Sequence, residues 1–172
     1  MLALWVIFSY NGLVRTSYRV KEALSDTDVQ LKRRYDLIPN LVESVKGYMG
    51  HEKEVLMKVT EARARLNETG NPVDRARDEN MLSATLKTLF AVAENYPDLK
   101  ANTNFLELQR ELADTEDKIQ AARRFYNSMV LHLNSSVDSF PSSVIAGIFG
   151  FKEEKFFEVG DDTERAPIKI SF

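Results

Sequence analysis

The sequence predicts an all-α fold, an antiparallel up-down four-helix bundle whose first and fourth helices are long. Three observations lead there. Apolar residues recur at helical spacing along two long seams, only 7 Gly and 5 Pro interrupt 172 residues, and the stretches between periodic segments are short. So few breakers leave little room for the many turns of an all-β fold. A chain of this length can bury one sizeable core.

The first seam reads Leu13, Ser17, Val20, Leu24, Thr27, Leu31, Arg34, Ile38, Leu41, Val45, Tyr48, with eight of eleven positions apolar and spacings of four and three. No period-2 strand produces that series. Unbroken, the segment is about 54 Å long. Pro39 lacks the amide that would bond the Tyr35 carbonyl, so a kink or local loosening is expected there. Gly47 and Gly50 bracket the expected stop.

A second helix is expected over 52–67, with Val55, Val59, Ala62 and Leu66 on one face and Gly70 available to end it. Asn71 then suits an N-cap and Pro72 a first helical position. The third helix carries Leu82, Leu86, Leu89, Ala93 and Tyr96, and Pro97 follows it. The fourth starts near 102–104, where Asn104 and Glu107 have capping-box spacing. Its seam is Phe105, Leu108, Leu112, Thr115, Ile119, Ala122, Tyr126, Met129, Leu133. Pairing Leu13 with Leu133 would make facing residue numbers add to about 146.

Residues 1–14 (MLALWVIFSYNGLV) carry no charge. As a helix they reach about 21 Å, short of the roughly 30 Å hydrocarbon core. No basic n-region precedes them and no small-x-small site follows, which disfavours a cleaved signal peptide. The plain alternative is a first helical turn buried in the core. The preferred reading is an anchor stub, the C-terminal part of a transmembrane helix, because Trp5 and Tyr10 suit an interface and Arg15, Arg19 and Lys21 follow at once. Positive charge behind a span marks the cytoplasmic side, giving a single-pass cell-membrane protein, N-terminus outside and bundle cytoplasmic. Residues 13–137 form the bundle, and 138–172 a mostly irregular apolar tail with a β-prone end, Ile168 to Phe172. If helix one leaves the membrane, helix four returns the tail to it. The tail then either packs in a groove of the bundle or touches lipid and partners.

Charge and composition exclude several functions. The net charge of −3 argues against a nucleic-acid partner. It is uneven: residues 1–65 hold 11 Lys+Arg against 8 Asp+Glu, the rest 12 against 18. With no Cys there is no disulfide, thiolate metal site or cysteine nucleophile. Tyr48 and Met129 stand three residues before His51 and His132, so the Glu-x-x-His spacing of a di-iron bundle is missing. His51 reads as a polar residue at an inter-helix turn and His132 as a polar position late in helix four. Lys32-Arg33-Arg34 is flanked by Asp28 and Asp36 at four residues from Lys32, which makes it a solvated face rather than a phosphate site. Arg34 falls on the apolar seam; its stem is expected along the core with the head reaching out, the alternative being a buried pair. Thr27 and Thr115 interrupt the two long seams, and a shared polar layer between them is expected, the alternative being that each bonds its own helix. Gly147 and Gly150 read as bends in the tail. No triad order, Gly-rich phosphate loop or strand-turn-helix element is present, so no catalytic, cofactor-binding or metal residue is nominated.

Several runs carry a resemblance. Tyr10-Asn-Gly-Leu-Val14, Asp28-Val-Gln-Leu-Lys-Arg-Arg-Tyr-Asp-Leu-Ile-Pro-Asn-Leu-Val42, Lys46-Gly-Tyr-Met-Gly-His-Glu52, Glu61-Ala-Arg-Ala64 and Phe140-Pro-Ser-Ser-Val-Ile-Ala-Gly-Ile-Phe-Gly-Phe151 resemble the bacterial LemA family. The resemblance implies an N-terminal membrane anchor followed by a cytoplasmic antiparallel helical bundle, and it implies no reaction. The short anchor departs from the family's usual full span. The expected role is a membrane-anchored scaffold or protein-interaction module without catalysis, touching lipid through its N-terminal helix and binding an unidentified protein. An oligomeric structural protein at the membrane is the second reading, and an enzyme with a dispersed site the third.

Overall fold

The computed structural model describes residues 1–49, 52–68 and 72–157, which form six helices and no strand. They are α1 (Leu2–Lys46), α2 (Lys53–Glu68), α3 (Pro72–Ala93), α4 (Pro97–Lys100), α5 (Thr103–Asp138) and α6 (Ser142–Phe149). Gly50, His51, Gly70, Asn71 and the 168–172 end lie outside the described residues. Two helices beyond the expected four are short. One, α4, uses Pro97 as its first residue and buries Leu99; the other, α6, lies inside the tail expected to be irregular.

The uncharged stub runs straight into the first seam. It is the first part of α1, which runs without interruption through 45 residues, about 67 Å. Gly47 caps α1, whose last turn carries Lys46 beside the orphan carbonyls. At the other long helix the cap is Asn102 rather than Asn104. Its side-chain oxygen accepts from the Phe105 amide at 3.1 Å, while its Nδ2 donates to the Tyr48 hydroxyl at 2.9 Å. One side chain therefore starts α5 and ties it to the end of α1.

Contacts descend α5 as they ascend α1: Tyr48 meets Asn102, Arg34 meets Glu116, and Val20 and Ala23 share a cluster with Tyr126, Val130 and Leu133. In the first two pairs the residue numbers add to 150, one helical turn from the expected 146. Leu13 accordingly packs with Val137, Ile145 and Ala146, not with Leu133.

Packing divides the molecule lengthwise. The main core gathers Ile38, Leu41, Val45 and Met49 of α1 and its end, Val59 of α2, Leu82 and Leu89 of α3, Leu99, and Phe105 and Leu112 of α5. Nearer the start of α1, only α5, α6 and the 151–157 segment accompany it among the described residues, in two small clusters. Helix length explains the division: α2 and α3, with 16 and 22 residues, reach about 24 Å and 33 Å and cannot follow α1 along its length.

Pro39 neither ends nor interrupts α1. The Tyr35 carbonyl it leaves without an intrahelical donor receives the Arg63 Nε–H of α2 at 3.3 Å, and the same guanidinium sits 3.9 Å from the centre of the Tyr35 ring. The missing backbone bond thus becomes a docking point for α2. Arg63→Ala is expected to cost about 1–2 kcal/mol. In a Pro39→Ala background, where an amide returns to Tyr35, Arg63→Ala should cost less. A urea-unfolding double-mutant cycle measures the difference, and additive effects would refute the shared carbonyl.

Candidate functional site

Where three helices cross, a seam position expected to send its charge outward instead keeps it inside. Arg34 is 1% exposed. Its Nη2 donates to the Glu79 carboxylate of α3, and its Nη1 donates to Glu116 of α5 and to the Ser83 hydroxyl of α3, both at 2.6 Å. The expectation of an outward-reaching head fails because α3 and α5 leave no path to solvent at this height and supply carboxylates instead. Around the knot Gln120 donates to Glu116 at 3.3 Å, and Arg123 donates to Asn80 at 3.1 Å. Arg34 Nε and Arg123 Nε, both buried, have no hydrogen-bond partner among the described residues.

Burial pushes the Glu116 carboxyl upward, but the Arg34 charge and hydrogen bonds from Arg34, Gln120 and Ser83 outweigh it and hold the group below its ordinary value. Burial and then repulsion from Arg34 draw the Arg123 guanidinium down, against attraction by Glu79 and Glu116. The perturbed carboxylate is thus occupied by fixed partners from α1, α3 and α5. Such an arrangement suits holding helices in register rather than passing protons.

The other singled-out residues do not converge. Thr27 donates to the Ala23 carbonyl at 2.9 Å and Thr115 to the Glu111 carbonyl at 2.7 Å. Each bonds its own helix, and the expected shared polar layer does not form, because the one-turn change in register carries the two past each other. Lys32 pairs with Asp36 at 3.3 Å on an exposed face. His132 is exposed on α5. Among the described residues no group of three or more His, Asp or Glu is placed to hold a metal.

A second site lies at the far end. Leu4, Trp5, Ile7 and Phe8 of α1 are exposed, as are Phe140 before α6 and Val144, Ile148 and Phe149 within it. The helix α6 is clamped beside α1. Ile145 and Ala146 bury against Leu13, and Tyr10 packs on Phe149 and Phe151 with ring centres 4.7 and 5.8 Å apart. Gly150 ends it at φ +75°, and the Phe151 amide returns to the Ala146 carbonyl at 3.0 Å, a left-handed terminal turn that only glycine adopts without strain. Gly147, expected at a bend, lies inside this helix.

Beyond Phe151 the chain runs extended along α5, held by two asparagines seven residues apart. Asn134 exchanges bonds with the Glu154 backbone at 2.9 Å each way, and Asn127 does the same with Phe157 at 2.8 and 3.1 Å. Tyr126 adds a bond to the Lys155 carbonyl and packs on the Phe157 ring. Residues 142–157 pack on the helices through Ile145, Ala146 and the 154–157 backbone, and the outer face of α6 stays exposed. Sequence reading missed these asparagines; their seven-residue spacing, which puts both on one helix face, was the available signal.

The pattern of the LemA family matches residues 23–172. A protein named LemA from Metamycoplasma hominis is 30% identical over 165 residues, spanning 94% of this chain and 74% of that protein. The chain belongs to the LemA family. Also similar are magnetosome protein MamQ 2 of Paramagnetospirillum magneticum, 23% identical over 89% of this chain and 66% of that protein, and magnetosome protein MamQ of Magnetospirillum gryphiswaldense, 22% identical over 88% and 65%. The chain thus spans just under two thirds of each magnetosome protein. Of the features of this LemA-family chain, the ionic knot, the two asparagines that hold the tail and α6 fall inside the matched region, whereas the uncharged start of α1, with Tyr10 and Leu13, precedes it. No helix among the described residues is long and apolar enough to cross a membrane.

Two outcomes follow from the knot. Arg34→Met should destabilise by about 3–5 kcal/mol, since it leaves Glu79 and Glu116 without their shared cation, and joint replacement of all three by Met and Leu should recover most of the loss in chemical denaturation. The second concerns pH. The Glu116 pKa is depressed on folding, so its stabilisation is whole above the ordinary glutamate range and is lost as pH falls through the folded-state value. Glu116→Gln should therefore be less stable than the parent at neutral pH, with the gap closing on acidification below that range.

Proposed function

We propose that this LemA-family protein is a membrane-tethered helical scaffold that works by binding another protein, not by catalysis. The observation that carries the reading is the separation of two kinds of surface along α1: an uncharged apolar end and, beyond it, a charged shaft and head. In this reading residues 1–14 enter the bilayer as part of a single-pass anchor, N-terminus outside, and Arg15, Arg19 and Lys21 hold the body on the cytoplasmic side. The four longer helices act as one antiparallel up-down unit over 13–137, supported by the descending pairs between α1 and α5 and by the contacts between α2 and α3. Residues 138–157 of the tail brace that unit at its membrane-proximal end.

The knot supports a binding role, because its carboxylates are committed to Arg34, Ser83 and Gln120. The surface offered to a partner is the two-helix shaft, where Val29 of α1 and Phe125 and Leu131 of α5 stand exposed. The same residues favour a second reading, an oligomeric structural protein at the membrane surface.

One cellular experiment separates these. A photo-crosslinking residue is placed at Val29, Phe125 or Leu131 in the full-length protein, and membranes are washed with carbonate before analysis. Retention in the membrane fraction with adducts to a distinct protein is the expected result. Adducts only between copies of the chain would select the oligomer, and release by carbonate would overturn the tether.

A further inference from the structure

The level at which charge begins is common to every element at the apolar end. On α1 the first charged residue is Arg15; α5 ends with Asp138; and after α6 the first is Lys152. Packing places these within about one turn of each other, because Leu13 shares a cluster with Val137, Ile145 and Phe151. On one side of that level lie two uncharged segments, 1–14 and 139–151, held together by Tyr10, Phe149 and Phe151. On the other side charge of both signs appears: Arg15, Arg19, Lys21, Lys152 and Lys155 against Glu22, Asp138, Glu153 and Glu154. A boundary of this form, shared by segments far apart in sequence, matches the boundary between hydrocarbon and water.

The helix α6 fits one side of it. Its buried face, Ile145 and Ala146, is used against Leu13, with Phe149 on the same side against Tyr10, and its outer face presents Val144 and Ile148, with Phe140 just before it. Phe8, Phe140 and Ile148 are 72%, 84% and 70% exposed, on neighbouring elements at one end of the molecule. The mixed signs behind the level nearly cancel, so attraction to anionic headgroups is not the main force; burial of these side chains is. The Asp138 carboxyl, hydrogen-bonded to Glu153 and repelling its charge, raises the Glu153 pKa, which makes a neutral acid easier to reach at the rim.

We propose that α6 is a second lipid-contacting element, with Phe140, Val144 and Ile148 seated at the headgroup–acyl boundary beside the first turns of α1. This rests on the membrane reading above and adds to it. The molecule meets the bilayer through a wedge of two helices, and α6, fixed to α1 by the Leu13 cluster, sets how deep α1 sits and how the shaft is tilted.

The chain has no cysteine and one tryptophan, Trp5, so two positions can be read separately in the full protein. Ile148→Cys carries an environment-sensitive fluorophore, and Val29→Cys, about 24 Å from Leu13 along α1, is the control. The protein is reconstituted into phosphatidylcholine–phosphatidylglycerol vesicles brominated either near the glycerol backbone or at the acyl-chain ends. Expected are a blue shift of the label at 148, stronger quenching there by shallow than by deep bromines, quenching of Trp5, and no response at 29. If Trp5 is quenched while the 148 label stays in water, the role of α6 is overturned and the tether stands. If the 148 label shifts without vesicles and unlabelled Ile148→Cys forms disulfides between copies, a second copy covers α6 and the inference fails. If neither Trp5 nor the 148 label responds to vesicles, both this inference and the tether fall.

Discussion

A guanidinium does not give up its proton inside a protein, so once Arg34 is buried the surrounding helices must bring carboxylates to it. Much of the architecture can be read as the answer to that demand. Glu79 and Ser83 fix the height at which α3 crosses, and Glu116 fixes the register of α5 against α1. A shift of one helical turn in either neighbour would leave charge facing hydrocarbon. The knot adds little net stability, because desolvation of two cations and two carboxylates offsets their attraction. Its contribution is to make every alternative register costly. The tie between Tyr48 and Asn102, fourteen residues after Arg34 and fourteen before Glu116, agrees with the same register.

That fixed register creates a long molecule with unequal halves. Around residues 38–49, at the end of α1, the core is broad and built from five helices. Towards the start of α1, two helices alone could not bury their seams, and the chain after α5 turns back to serve as a third element. It is attached mainly through backbone groups, by Asn127 and Asn134, because an extended segment beside a helix has no partner strand to satisfy its amides. Pro39 follows similar logic: a carbonyl freed by the sequence is satisfied by the side chain of another helix.

In the membrane-scaffold reading proposed above, this division has a use. Roughly 37 Å of helix separates Leu13 from Ile38, where the broad core begins. The apolar end and the head can therefore engage different surroundings, lipid and protein, without competing for the same surface. A rigid α1 passes through both, so the geometry set at one end is carried to the other.

The helical class and most of the buried positions were legible in the sequence, because burial along one face of a helix imposes a periodicity that can be read without knowing the partner. Of the first seam, Leu13, Val20, Leu31, Ile38, Leu41 and Val45 are buried as expected. The seam drifts where one helix contacts different neighbours along its length: Ala23 is buried in place of Leu24, and Met49 in place of Tyr48. In α2 and α3 the expected Val59, Ala62, Leu82, Leu86, Leu89 and Ala93 are all buried. What periodicity does not carry is the identity of the residue opposite. Whether Arg34 reaches outward or pairs inward depends on Glu79 and Glu116, which stand 45 and 82 residues away and reach it only through the crossing of three helices. The apolar character of 140–151 was plain in the sequence, but that it forms a helix clamped on Tyr10 and Leu13, with its charge boundary level with that of α1, was decided by the tertiary structure alone, since local composition holds no information about which distant face will receive it.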